Sequence, residues 1–133
     1  MSIHIERPRS PFLAGFTLKN ILDPIVPELS KKKGWHSSAS EEMRYVRFRP
    51  VYDRRYNLFL HISQGAESRF LQELRTVIDQ RVKQTQVELR GSNDGDEFFV
   101  RRYTDGRSRG VIRVSGTRGE EDTYTVRIEI HEI

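Results

Sequence analysis

Between residues 44 and 55 the chain carries Arg44, Arg47, Arg49, Arg54 and Arg55, opposed within that stretch only by Asp53. Tyr45 and Tyr52 are interleaved with them, and Phe59 and His61 follow on the next alternating run. Guanidinium groups neutralise phosphates while aromatic rings stack on unpaired bases, so this mixture suits a single-stranded nucleic acid or another polyanion. The predicted face is Arg44, Tyr45, Arg47, Arg49, Arg54, Arg55, Phe59 and His61. Arg101, Arg113 and Arg127 extend it if the later strands join the same sheet. Two readings compete. Arg stems on a solvated strand face cover apolar surface while their heads pair with Glu129 or Glu97. The same face also suits a partner protein.

Other groups carry weaker signals. Asn93-Asp94-Gly95-Asp96-Glu97 clusters oxygens of the kind Ca²⁺ or Mg²⁺ takes, but the spacing completes no EF-hand loop, and Asn-Asp-Gly is ordinary turn chemistry. His4, His36, His61 and His131 show no paired spacing of the zinc-helix type; His61 and His131 fall on outward strand positions where they are expected to meet across strands. Gly106-Arg107-Ser108-Arg109-Gly110 looks like a phosphate cradle but precedes a strand, whereas a phosphate loop precedes a helix. No catalytic residue, cofactor or metal ligand is assigned. The chain is expected to act by binding and not by catalysis.

The elements that would position these residues follow from periodicity. Phe70, Leu74, Val77, Ile78 and Val82 repeat at helical spacing, and Leu71 widens the stripe. This predicts an amphipathic helix over 65–83, capped by Ser63 or Gly65. Burying those six side chains is worth on the order of 10 kcal/mol gross, before chain entropy is subtracted. The helix therefore needs an apolar partner surface. Strands supply it: 43–50 and 56–62 alternate with period two, joined by a turn at 51–55, and 87–89, 97–103, 109–115 and 124–131 follow the helix. Asp105-Gly106 marks one hairpin.

Upstream, residues 1–7 read as an edge strand ended by Pro8, and 12–29 as the most apolar stretch. Pro24 and Pro27 split it into a helix near 16–22 and a second turn from 24 to 29. This segment covers one end of the core or docks on a partner; Phe12, Phe16, Leu18, Ile21 and Trp35 are its candidate partner surface. Residues 30–41, SKKKGWHSSASE, read as a flexible polar loop.

The predicted fold is thus α+β: a β-hairpin, a long helix packed on one sheet face, a three- to four-stranded antiparallel meander, and a short helical N-terminal segment. The organisation is one domain over 1–133, with an N-terminal segment 1–29, the loop 30–41 and an α+β body 42–133. Whether the sheet stays open or curls around a pocket is left open by the pattern. The 133 residues contain no cysteine, which points to a reducing compartment and a cytoplasmic protein. No stretch approaches the ~20 apolar residues of a membrane-spanning helix. The net charge of +4 is uneven: residues 1–62 hold eleven Lys/Arg against six Asp/Glu, and residues 63–133 twelve against thirteen. The leading expectation is a protein-interaction module or homodimer acting through 12–36; the alternative is nucleic-acid or polyanion binding through 44–55, and a third, less favoured, is a small-ligand pocket between sheet and helix or an enzyme.

Overall fold

The computed structural model describes residues 13–32, 35–95 and 97–132. Helix α1 (Ala14–Lys32) leads into strands β1 (His36–Val46) and β2 (Arg49–His61); helix α2 (Glu67–Val82) follows, then β3 (Glu88–Asp94), β4 (Phe98–Thr104), β5 (Arg109–Arg118) and β6 (Thr123–Glu132). The fold is α+β, with an antiparallel sheet and two helices. Sheet order is β1-β2-β6-β5-β4-β3. β1 and β3 are edges, so the sheet is open and does not curl into a barrel.

The last strand sits in the middle because it alternates most cleanly. Tyr124, Val126, Ile128 and Ile130 are buried on the helix side, while Arg127 and His131 are exposed on the other. β2 and β5 flank it with Tyr56, Leu58 and Leu60, and with Ile112 and Val114. Leu71, Leu74, Ile78 and Val82 of α2 join the same core cluster. So do Ala14, Leu18, Leu22 and Val26 of α1. Among the described residues, the opposite face of the sheet carries no helix.

Several local expectations are corrected. The two short helices expected at 16–22 and 24–29 form one continuous helix that contains Pro24 and Pro27. Each proline removes one backbone donor and fixes a φ that suits a helix. Both prolines are exposed, and Asn20, whose carbonyl loses its partner at Pro24, is exposed too. At Asn20 the freed carbonyl is on the exposed side of the helix, and the buried stripe of α1 offsets the lost bonds.

Of the loop expected over 30–41, residues 30–32 end α1 and residues 36–41 begin β1, while 33 and 34 lie outside the described residues. Serine-rich β1 is exposed along nearly its whole length, so no apolar alternation marks it. Backbone pairing with β2, His36 to Phe59 through Val46 to Arg49, makes it a strand. The turn expected at 51–55 lies instead at Arg47-Phe48, and 51–55 is inside β2. Both turn residues have positive φ, 52° and 67°, the geometry of a tight hairpin turn that Asn-Gly usually signals. The cap expected at Ser63 or Gly65 is also absent. Ala66 occupies the N-cap without a side-chain bond, and the Glu67 carboxylate accepts the Gly65 N–H at 3.0 Å. The strand expected over 1–7 lies outside the described residues.

Candidate functional site

Successive side chains of a strand point to opposite faces, so the registers decide which predicted residues share a surface. On β2, Tyr52, Arg54, Tyr56, Leu58 and Leu60 point towards the helices; Arg49, Asp53, Arg55, Phe59 and His61 point away. The open face therefore gathers Arg44, Arg49, Arg55, Phe59 and His61 from the predicted set. Arg113 and Arg127 extend it, flanking Glu129 in register on β5 and β6.

The other predicted residues are elsewhere. Arg54 is on the helix side, where it donates to Asp23 of α1 at 2.8 Å and lies 5.1 Å over the Tyr56 ring. Tyr56 donates to the same Asp23 oxygen at 2.5 Å. Tyr52 is buried there as well, donating to Glu41 at 2.6 Å and packing 4.4 Å from the Phe16 ring. That hydrogen bond, and then Lys19 at 2.9 Å, hold the Glu41 carboxyl below its usual range. Arg101 does not extend the basic face. It points to the helix side and pairs at 2.6 Å with Asp94, whose carboxyl it holds below the usual range. Tyr45 is exposed, but on the side of the hairpin opposite Arg44, and Arg47 occupies the turn.

Of the expected partner surface, Leu18 is a core residue and the other described members are partly buried. Leu18 is 1% exposed. Ile21 and Trp35 are partly buried against the core, and Trp35 meets the Phe70 ring edge-on at 5.6 Å. Phe16 is half-buried beside Tyr52, and Phe12 lies outside the described residues.

Sequence reasoning missed Arg90, Arg102 and Arg109, which the registers add to the open face. Phase along each strand was the available signal: Arg102 alternates with the buried Phe99 and Tyr103 pair only once those are fixed as inward. Among the described residues, this face holds eight arginines against the carboxylates of Glu42, Asp53, Glu88 and Glu129. Some are paired: Arg44 with Glu42 and Asp53 at 3.4 and 3.7 Å, Arg55 and Arg127 with Glu129 at 4.0 and 3.8 Å, and Arg90 with Glu88 at 2.9 Å. Arg49, Arg102, Arg109 and Arg113 form no ion pair among the described residues. Exposed pairs of this kind contribute about 0–1 kcal/mol each, so a ligand phosphate competes with them at little cost.

A shallow depression of about 730 Å³ lies here, lined by Ser40, Arg44, Asp53, Arg55, Arg113 and His131 among others. His131 Nδ1 contacts the Asp53 carboxylate. That contact orients the imidazole. The two strand histidines do not meet: His131 is opposite Asp53 and His61 opposite Thr123, eight residues or roughly 25 Å apart along the strands. Among the described residues no three His, Asp or Glu side chains converge as a metal site. Asp94, from the predicted oxygen cluster, is committed to Arg75 and Arg101. No helix of the described residues is long and apolar enough to cross a membrane.

No protein family model matches the chain, and no curated protein matches it. Among solved structures it is similar to CalU16 from Micromonospora echinospora, with 5% identity, 73% of this chain and 71% of that chain covered, and a TM-score of 0.46. A likeness of that size carries no argument about this chain.

Proposed function

We propose that this protein is a non-catalytic binding module for single-stranded nucleic acid, held through its phosphates on the helix-free face of the sheet. The observation that supports this reading is the arginine excess on that uncovered face, with Arg49, Arg102, Arg109 and Arg113 free of ion pairs among the described residues. Guanidinium groups present fixed pairs of donors to phosphate oxygens. Phe59, exposed on the same face, offers a ring for stacking. The favoured architecture is a hairpin and meander forming one platform, with α2 packed behind it, working as one domain in the cytoplasm. The competing protein-partner reading through 12–36 loses support because Leu18 is core.

Binding is expected to weaken steeply with salt, since each phosphate neutralised on a single strand contributes a slope of about −0.7 in log affinity against log salt. The double variant Arg49→Glu, Arg113→Glu is expected to reduce affinity for a mixed-sequence oligonucleotide at least tenfold and to flatten that slope. Fluorescence anisotropy at two salt concentrations tests this. Affinity independent of salt, or unchanged in the double variant, would remove the reading.

A further inference from the structure

The β1–β2 hairpin runs on where the rest of the sheet stops. β2 pairs with β6 from Asp53 to His61, so Arg49–Tyr52 has only β1 as a strand partner among the described residues. Tyr52 anchors the base of this ribbon against Phe16. Around and beyond it, Met43, Tyr45, Val46 and Phe48 are four of the six exposed large apolar side chains among the described residues, and Phe48 is fully exposed.

Two features show that the tip is built for contact and not for folding. Arg47 and Phe48 both take the left-handed backbone region, which side chains other than glycine and asparagine avoid. The Glu121-Asp122 turn takes the same backbone, so the side chain sets Phe48 apart: fully exposed, it contributes nothing to the core. Second, no carboxylate occurs from Met43 to Tyr52, while Arg44, Arg47 and Arg49 do. The nearest acids, Glu42 and Asp53, are both tied to Arg44, at 3.4 and 3.7 Å.

From this geometry we infer that the hairpin tip docks on an anionic lipid surface. Phe48, Val46 and Tyr45 enter the boundary between headgroups and acyl chains, and the arginines remain level with the lipid phosphates. Charge complementarity selects an anionic occupant. The aliphatic Met43 and Val46 select lipid over nucleic acid, because they offer no plane on which a base stacks. Arg44 and Arg49 belong to both surfaces, but the apolar Met43, Val46 and Phe48 take no part in the nucleic-acid reading, so this inference does not rest on it.

The test is co-sedimentation of the full chain with large vesicles of phosphatidylcholine containing one quarter phosphatidylglycerol, against vesicles of phosphatidylcholine alone. The protein is expected to pellet with the anionic vesicles only. Phe48→Ser, at a position outside the core, is expected to keep its fold by circular dichroism and lose at least tenfold in partitioning. Phe48→Trp is expected to add emission that shifts to the blue on anionic vesicles. The inference is overturned if the wild type ignores anionic vesicles, or if Phe48→Ser partitions equally well. It is also overturned if Phe48→Ser lowers the sedimenting mass of the free protein, which would make a second copy the occupant. Loss of oligonucleotide affinity in Phe48→Ser without vesicle binding by the wild type would assign the tip to nucleic acid instead.

Discussion

Arg54 and Arg55 are neighbours in sequence and opposites in role. Arg54 is held by Asp23 and Tyr56 beneath α1, with its side chain 16% exposed; Arg55 reaches only Glu129, at 4.0 Å, across the open face. Arg54→Gln is therefore expected to lower stability by about 1–3 kcal/mol, because it leaves Asp23 without its ion-pair partner, and to leave oligonucleotide affinity within about twofold. Arg55→Gln is expected to do the reverse. Urea denaturation and anisotropy on both variants check this, and equal effects on affinity would show that the face assignment is wrong. Composition named both arginines as candidates; only strand phase separates them. Phe48 was illegible for a related reason: the alternation expected over 43–50 runs through it, whereas the turn lies at Arg47-Phe48.

Glu132 is the other residue whose environment decides its behaviour. It is buried at the start of α1, accepting the Tyr103 hydroxyl at 2.8 Å and the Gly15 N–H at 3.0 Å, and its Oε2 has no partner among the described residues. Burial pushes its pKa up, against the pull of those donors. The unfolded chain then releases this proton at a lower pH than the folded protein. Its contribution is thus most favourable below the ordinary carboxylate range and is lost as pH rises towards the folded value. Glu132→Gln is expected to flatten that decline and to raise the urea midpoint at pH 8 relative to wild type. An unchanged difference between pH 5 and pH 8 would show that the carboxyl is not the source.

Among the elements, α2 was legible because its burial repeats every three to four residues and nothing interrupts it. Leu74 lies in the centre of that stripe, 2% exposed. Leu74→Ala is expected to cost about 2–5 kcal/mol, as deep truncations do, measured by urea denaturation. A loss below about 1 kcal/mol would remove α2 from the core. Arg75 on its outer side pairs with Asp94 of β3 at 2.8 Å, tying the helix to the sheet edge. α1 and β1 were illegible for opposite reasons. In α1, two prolines mimic a break but fall on the wet side, where the missing donors cost little. In β1, the strand exists through backbone pairing at an edge, so its serines and glutamates carry no alternation to read.

At the scale of the whole molecule, composition and period gave the class, α+β with an antiparallel sheet, because burial on one sheet face is a strong and repetitive signal. They did not give the surface. The net charge of +4 is small, and the half-chain imbalance points to residues 1–62, yet Arg102, Arg109, Arg113 and Arg127 come from the other half. Insertion of β6 between β2 and β5 brings the two halves' arginines onto one face, and the acids that balance Arg54 and Arg101 are drawn to the helix side. The resulting field is local: it steers an anion within roughly one Debye length, about 10 Å at 0.1 M salt.

The claim that this face binds a polyanion is tested most directly by titrating ¹⁵N-labelled protein with a short mixed-sequence single-stranded oligonucleotide at low and moderate salt. The account predicts amide shifts at open-face positions such as Arg55, Arg113 and Arg127, strong at low salt and reduced at moderate salt, with the buried stripes of α1 and α2 unmoved. Absence of shifts at low salt, or shifts confined to the helices, would contradict it.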